Sequence, residues 1–298
     1  MKLQISELAE EKINKSILIT GSARSGTTIL GKIIHSLQGI EYAFEPPILF
    51  SLIPLIEKIS QQEWQLLFET YLYEDFFLNA ISGRNINCNR TDDSSIFNVK
   101  SEIDIESRLK KSIRKIEAEE LGKAKILAFK LPDIVPFIPK IQSYYNKIKI
   151  IIIKRDAIGT INSLMAKHWF SNENSSKNII WPFRVYRSLR IPYWVDEKDF
   201  DLWFEMSEID RCAYYYITIN KYSLHIRNSI EIDYNQLLQK PLLIAKNISQ
   251  KLNLKFSDKT KEVINQVKPT IKNRDKNIIN KITNELRYEV MAYSSSIV

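Results

Sequence analysis

The sequence predicts an α/β fold in three layers, with a central parallel sheet flanked by helices. Short β-branched apolar runs alternate with segments whose apolar residues recur at helical spacing. This alternation is typical of parallel sheets, because each pair of parallel strands needs a long crossover connection. The predicted strands are residues 16–20, 41–44, 125–130, 147–154 and 229–234.

Helices are predicted between these strands, at residues 28–37, 51–81, 103–121, 134–145, 158–168, 205–222 and 241–252. Residues 83–100 are rich in Asn, Asp and Ser, which predicts a surface loop. Residues 170–203 are aromatic and contain proline, and they are expected to be irregular. We expect the whole chain, residues 1–298, to form one domain, because its length suits a single large α/β core.

Composition narrows the partners and the compartment. The formal net charge of +8 favours an anionic partner, but the lysines are dispersed, so we expect no nucleic acid. Cys88 and Cys212 have neither metal-ligand spacing nor a disulfide framework, which favours a reducing compartment. The polar N-terminus is unlike a signal peptide, and no apolar run reaches the ~20 residues of a membrane helix. A cytoplasmic protein without a transmembrane segment is expected.

The first predicted strand leads into a glycine-containing loop and a helix. The loop reads Gly21-Ser22-Ala23-Arg24-Ser25-Gly26-Thr27-Thr28. Glycine lets the backbone curl with positive φ and approach a ligand closely, and the helix that follows aims its free N–H groups at an anion. The pattern predicts a phosphate loop, and hence a P-loop version of the α/β fold. The alternative is a strand-to-helix turn without a ligand.

The loop departs from that of nucleotide triphosphatases, which has a lysine where this chain has Thr27. The cation stands at Arg24 instead, and no acidic strand end suits Mg²⁺. We therefore expect a phosphate-like anion without a metal.

A second anion site is predicted after the fourth strand, which ends at Lys154-Arg155-Asp156. Ser163 follows Arg155 by eight residues, two turns into the next helix. A guanidinium can clamp a phosphate through two hydrogen bonds, and a hydroxyl can complete the shell. Taken alone, Arg155 fits a surface salt bridge better; together with the loop at residues 21–28, the anion site is favoured.

These motifs resemble those of sulfotransferases that use 3′-phosphoadenosine 5′-phosphosulfate (PAPS). Residues 22–28 are similar to the family's 5′-phosphosulfate loop. The arginine in this loop is similar to the variant of the loop in carbohydrate and bacterial members of the family. Arg155 and Ser163 resemble its 3′-phosphate motif, with Ala157 in place of a proline. Residues 231–241 are similar to its late strand and helix. The resemblance covers residues 16–255.

The resemblance implies transfer of a sulfuryl group from PAPS, as co-substrate, to an acceptor hydroxyl or amine, with a sugar favoured. It implies the following donor-binding residues, the last two from a late basic loop: Ser22, Ala23, Arg24, Ser25, Gly26, Thr27, Thr28, Arg155, Ser163, Lys272 and Arg274. Arg24 is also expected to stabilise the leaving group. Lys130, at the end of the third strand, is expected to contact the sulfuryl group or the acceptor; an exposed strand-end lysine is the alternative.

Glu45 is the first candidate for the catalytic base. The Phe44-Glu45-Pro46 context resembles carbohydrate and heparan sulfotransferases, in which a glutamate here serves as base. Because proline disfavours helical backbone in the preceding residue, Glu45 is expected in extended backbone. The alternative is a solvated loop carboxylate. His168 is the second candidate base.

Residues 169–203 are the expected acceptor-recognition segment. Their aromatic rings suit stacking on sugars, and Arg184, Arg187 and Arg190 suit anionic groups; simple packing is the alternative. The expected partner is a small-molecule or glycan acceptor, and no oligomeric state follows from the sequence. Two other functions stay open: a P-loop nucleotide or sugar kinase, and a nucleotide-binding protein of the same fold without turnover.

Overall fold

A five-stranded parallel sheet forms the centre of the computed structural model, which describes residues 5–110, 113–175, 182–224, 226–268 and 275–295. The strands are β1 (Ile17–Thr20), β2 (Ile40–Phe44), β3 (Ile126–Lys130), β4 (Lys149–Lys154), β5 (Phe183–Tyr186), β6 (Leu189–Pro192) and β7 (Ser229–Asp233). The sheet order is β2-β3-β1-β4-β7, and every pair in it is parallel. Strands β5 and β6 form a separate antiparallel hairpin. The predicted α/β fold is confirmed.

Helices surround the sheet. They are α1 (Glu7–Asn14), α2 (Thr27–Ser36), α3 (Pro47–Leu52), α4 (Gln61–Glu69), α5 (Asn79–Ile81), α6 (Glu102–Lys110), α7 (Lys115–Lys123), α8 (Ile138–Tyr144), α9 (Ala157–Met165), α10 (Asn172–Ser175), α11 (Phe200–Glu205), α12 (Glu208–Ser223), α13 (Tyr234–Gln239), α14 (Pro241–Leu252), α15 (Asp258–Asn265) and α16 (Asn284–Ser295). A π-helix, Thr70–Leu78, joins α4 to α5. None of the described helices combines the length and apolarity that crossing a bilayer requires.

Three sequence predictions about elements are wrong. Residues 51–81 do not form one helix, because Ser60 caps a new helix, α4, through a reciprocal capping box with Glu63. Residues 103–121 are divided between α6 and α7. The segment 170–203, expected to be irregular, contains the β5–β6 hairpin.

The two faces of the sheet carry two apolar cores. Leu18, Phe129 and Ile150 belong to one core, and their strand neighbours Ile19 and Ile151 belong to the other. Successive side chains of a strand point to opposite faces, so both faces are covered by helices.

The connections after β1 and β4 diverge at the centre of the sheet. These strands are neighbours, yet α2, which follows β1, packs in one core and α9, which follows β4, packs in the other. Ligands of parallel α/β sheets bind in the crevice that opens at such a switch point. Both predicted anion-binding motifs begin there.

Candidate active site

The phosphate loop lies between β1 and α2, and its backbone is left-handed at several positions. Gly21 has φ 146°, Arg24 φ 69° and Gly26 φ 96°. The Ser25 hydroxyl donates to the Ser22 carbonyl at 2.5 Å, and both serines are buried. These serines therefore stabilise the shape of the loop from inside. The loop residues that line the adjoining cavity are Ala23, Arg24, Thr27 and Thr28.

Glycine is required at position 26 because a side chain approaches it closely and because its backbone angle is left-handed. A Cβ at this position would lie 2.3 Å from Cδ2 of Tyr234. Tyr234 begins α13, in the late stretch that the sequence analysis singled out. The stretch thus contacts the phosphate loop directly.

Arg155 and Ser163 both lie against Arg24. Arg155 donates from Nη1 to the Arg24 carbonyl at 2.7 Å, and its guanidinium carbon lies 4.6 Å from the ring centroid of Tyr234. Arg24 donates from Nε to the Ser163 hydroxyl at 3.2 Å. The two predicted anion sites are therefore adjacent and share Arg24.

The first turn of α9 carries two residues that the sequence analysis did not assign. The Asp156 carboxylate accepts the Gly159 N–H at 2.6 Å and caps the helix. A Cβ on Gly159 would lie 2.6 Å from Nε of Arg155. Gly159 thus leaves room for the guanidinium beside the helix N-terminus. A glycine four residues after an arginine at a strand end was the signal available in the sequence.

A cavity of about 300 Å³ opens in front of the phosphate loop. Six aromatic residues line it: Phe50 of α3, and five that we call the aromatic wall, Trp169, Phe170, Tyr193, Trp194 and Tyr215. Four residues of the aromatic wall belong to the expected acceptor-recognition segment, and Tyr215 comes from α12. Glu45 and Asp133 contribute carboxylates to the lining.

Glu45 forms an ion pair with Lys130 at the edge of the cavity. The Lys130 side chain is 0% exposed, and its ammonium also donates to the Thr28 hydroxyl at 3.3 Å and lies 4.0 Å from the ring centroid of Phe44. Burial lowers the pKa of Lys130, and the charge of Glu45 opposes that shift. Lys130 is therefore a buried cation that joins Glu45 to the phosphate loop.

The backbone expectation for Glu45 is wrong. Its φ is 45°, which is left-handed rather than extended, although Pro46 follows it. The Glu45 N–H donates to the Lys130 carbonyl at 3.1 Å, so the β2–β3 pairing extends one residue beyond β2. That hydrogen bond and the Lys130 ion pair together stabilise the turn.

Asp133 is a site residue that the sequence analysis missed. It has φ 67°, and its carboxylate accepts the Ala23 N–H at 2.9 Å and the Tyr215 hydroxyl. The Tyr193 hydroxyl donates to the Asp133 carbonyl at 3.0 Å. Burial raises the pKa of Asp133 to about 6, against the two donors to its carboxylate. Its position three residues after β3, at the carboxyl end of a strand, was the signal available in the sequence.

Three other candidates, His168, Arg184 and Arg187, are not among the residues that line this cavity. His168 has a 65% exposed side chain with Nδ1 3.3 Å from the Glu208 carboxylate, and it is not among the lining residues. Arg184 and Arg187 pair with Glu197 and Asp201. Lys272 and Arg274 lie outside the described residues. The described residues contain no cluster of His, Cys, Asp or Glu that could hold a metal ion.

A sequence model of the Sulfotransferase family matches residues 16–258. The chain belongs to the sulfotransferase family. The match begins just before β1 and ends at the start of α15, so it includes both anion-binding motifs and the cavity. A search of curated proteins finds no significant match.

Solved structures resemble this sulfotransferase at low identity. The sulfotransferase domain from the curacin biosynthetic pathway aligns with a TM-score of 0.51 and 13% identity, covering 95% of this chain and 96% of that one. The sulfotransferase domain of the olefin synthase of Synechococcus PCC 7002 gives 0.48 and 12%, covering 94% and 93%. A sulfotransferase from Alicyclobacillus acidocaldarius gives 0.44 and 13%, covering 95% of each chain. At 13% identity, the alignment with the curacin-pathway domain shows a shared fold.

Proposed function

We propose that this sulfotransferase transfers a sulfuryl group from PAPS to an acceptor hydroxyl or amine, with a carbohydrate acceptor favoured. The observation that supports the donor is the arrangement at Arg24. The Arg24 carbonyl accepts a hydrogen bond from Arg155, and the Arg24 guanidinium donates one to Ser163. The two predicted anion sites therefore adjoin at the switch point of the sheet. A donor with a phosphate at each end of one nucleoside suits two adjacent anion sites.

The donor would bind through groups that already surround these sites. The 5′-phosphosulfate would meet the loop amides, Arg24 and the N-terminus of α2, whose free N–H groups and dipole favour an anion. The 3′-phosphate would meet Arg155, Ser163 and the N-terminus of α9. Contacts from Lys272 and Arg274 stay a prediction of the resemblance.

The reaction would be an in-line displacement at sulfur. The acceptor oxygen forms a bond to sulfur while the bond from sulfur to the 5′-phosphate oxygen breaks, and adenosine 3′,5′-bisphosphate leaves. Glu45 accepts the acceptor's proton. Arg24, Thr27 and Thr28 line the cavity, and their donor groups would stabilise the negative charge that grows on the leaving oxygen.

Lys130 would orient the base. Its ammonium contacts both the Glu45 carboxylate and the Thr28 hydroxyl, so it fixes the base relative to the donor loop. We propose that it also contacts the sulfuryl oxygens during transfer. The aromatic wall of the cavity supports a ring-containing acceptor, because aromatic side chains offer flat apolar faces for stacking.

Thermal shift and label transfer test the proposal. We expect adenosine 3′,5′-bisphosphate to raise the melting temperature, and label from ³⁵S-PAPS to appear on members of a panel of sugars, amines and phenols. Stabilisation only by ATP with Mg²⁺ would favour the kinase instead. Donor binding without transfer to any member of the panel would favour the non-catalytic protein.

An arginine variant tests the 3′-phosphate site. Arg155→Ala should weaken binding of adenosine 3′,5′-bisphosphate by about 10- to 100-fold, because a charge-assisted interaction is lost. Calorimetric titration measures the affinity. The matched control is Arg187→Ala. Arg187 lies in the turn of the β5–β6 hairpin, where it is exposed and pairs with Asp201. Equal affinities in the two variants would contradict the assignment of Arg155.

A further inference from the structure

Three rings of the aromatic wall, those of Phe170, Trp194 and Tyr215, pack against one another. The ring centroids of Trp194 and Tyr215 are 5.0 Å apart, and those of Phe170 and Tyr215 are 5.4 Å apart. Tyr193 and Trp169 line the cavity beside them. The faces of aromatic rings carry partial negative charge, so a group of rings attracts organic cations, ammonium groups in particular.

Asp133 places a carboxylate against this wall. Its Oδ1 accepts hydrogen bonds from both the Ala23 N–H and the Tyr215 hydroxyl, so its position is fixed. Two donors leave acceptor capacity on the carboxylate, which has about four lone-pair sites. The groups that face it from neighbouring elements are Arg24, Glu45, Lys130, Tyr193 and Tyr215. With its pKa raised to about 6 by burial, Asp133 is mainly ionised at neutral pH.

The cations near the cavity are already engaged. Lys130 pairs with Glu45. Arg24 donates to Ser163, and its guanidinium carbon lies 5.6 Å from the ring centroid of Trp169, so it occupies one end of the aromatic wall. Bound donor would bring further negative charge to the loop side. The acceptor side therefore presents a carboxylate and aromatic rings, an environment that disfavours an anionic acceptor and favours a cation.

A second observation points the same way. Tyr193 and Trp194 also line a neighbouring groove of about 790 Å³. Among the described residues that line it, three are basic and six are acidic: Glu57, Asp196, Glu197, Asp199, Glu285 and Glu289. A groove with negative lining is unexpected in a chain of net charge +8. Such a surface concentrates cations next to the cavity, with which it shares Tyr193 and Trp194.

We propose that the acceptor carries an ammonium group, which binds between the Asp133 carboxylate and the aromatic wall. This inference rests on the proposed sulfotransfer and narrows its acceptor class. The ammonium group serves for binding only, because a protonated amine has no lone pair with which to attack sulfur. The nucleophile is a separate hydroxyl of the same molecule, whose proton passes to Glu45.

A pair of nearly isosteric probes tests the inference. Choline and its neutral carbon analogue, 3,3-dimethyl-1-butanol, are titrated up to about 20 mM into protein saturated with adenosine 3′,5′-bisphosphate, and binding is followed by calorimetry or ligand-observed NMR. Choline should bind at least tenfold more tightly. The preference should fall below about twofold in Asp133→Asn, whose amide oxygen can still accept from Ala23 and Tyr215.

Asp93→Asn is the matched control. It removes the same charge from a side chain that is 81% exposed and pairs with Lys32, and it should retain the preference for choline. Equal binding of the two probes to the wild type, no binding of either, or an equal loss in both variants would overturn the inference. Binding of adenosine 3′,5′-bisphosphate is measured separately. If it fails, the proposed function fails; if it holds while choline shows no advantage, only the acceptor class is wrong.

Discussion

Glu45 and Lys130 form the pair of side chains on which turnover is expected to depend. The buried ammonium gives Glu45 a fixed partner, while 34% of the Glu45 side chain remains exposed toward solvent and cavity. A base needs both features, because it must be oriented and must also be within reach of the acceptor proton.

Replacing Glu45 by glutamine should separate turnover from donor binding. Glu45→Gln keeps an oxygen for Lys130 but cannot accept a proton, so kcat should fall by about 10²- to 10⁴-fold. Affinity for adenosine 3′,5′-bisphosphate should stay within about twofold. Steady-state transfer of ³⁵S and calorimetric titration measure the two quantities. Glu120→Gln, at an exposed pair with Lys123, is the control. Unchanged turnover in Glu45→Gln would transfer the base role to another group, with His168 the next to test.

At this scale, the sequence could predict residues whose role follows from local pattern. Arg24, Thr27 and Thr28 stand in a loop motif, and the structure brings them to one cavity. Asp133 and Tyr215 have no shared local pattern, because they are 82 positions apart and meet only through the fold. Asp133 lies three residues after β3. The sequence shows that it follows a strand, but only the folded structure shows that it reaches the cavity.

At the scale of elements, the start of α9 positions Arg155, a predicted donor-binding residue. Asp156 caps the helix, Gly159 admits the Arg155 guanidinium, and Asn235 of α13 donates to the Asp156 carboxylate at 3.2 Å. The Asp of the Arg-Asp pair thus caps the helix, while the Arg contacts the loop at Arg24.

Gly159→Ala should leave the fold intact and weaken the donor site. Alanine favours the helix by about 0.5–1 kcal/mol over glycine, but its Cβ must displace a flexible guanidinium. We therefore expect a melting temperature equal to or above that of the wild type, with affinity for adenosine 3′,5′-bisphosphate reduced by about tenfold. Thermal unfolding without ligand and calorimetry measure these quantities. Unreduced affinity would mean that Arg155 has no fixed place beside α9.

The sequence could predict elements with strong periodicity, and it failed at element boundaries set by side-chain caps. Helix α14 has the predicted bounds, residues 241–252. The predicted helix 103–121 is divided because the Glu117 carboxylate accepts the Arg114 N–H at 3.0 Å and begins a new helix. The β5–β6 hairpin was missed because each strand has only four residues: β5 has no buried residue, and in β6 two consecutive residues, Ile191 and Pro192, are buried instead of alternate ones.

At the scale of the whole molecule, buried charges hold the edge strand that ends at Glu45. Glu41 of β2 is 3% exposed and accepts two hydrogen bonds from Arg108 of α6, at 2.7 and 3.0 Å. Lys125 donates to the same carboxylate at 2.7 Å. A slip of β2 by one residue would move Glu41 to the opposite face and leave Arg108 buried without it. The ion pairs therefore specify the register that places Glu45 in the cavity.

Glu41→Gln should lower the free energy of unfolding by about 2–4 kcal/mol at pH 7, because Arg108 and Lys125 lose a buried charge partner, although Arg108 keeps Asp104. Burial raises the pKa of Glu41, but Arg108, with help from Lys125, outweighs burial and lowers it from 4.5 to about 2. This depressed pKa stabilises the fold fully above pH 4.5, and the contribution is lost as the pH falls toward 2. The wild-type advantage should shrink by about 2 kcal/mol by pH 3, as measured by urea unfolding. Glu106→Gln, at an exposed pair with Lys110, should show little difference from the wild type at either pH. If the difference in unfolding free energy between the wild type and Glu41→Gln did not change with pH, the charge of Glu41 would not be what stabilises the strand.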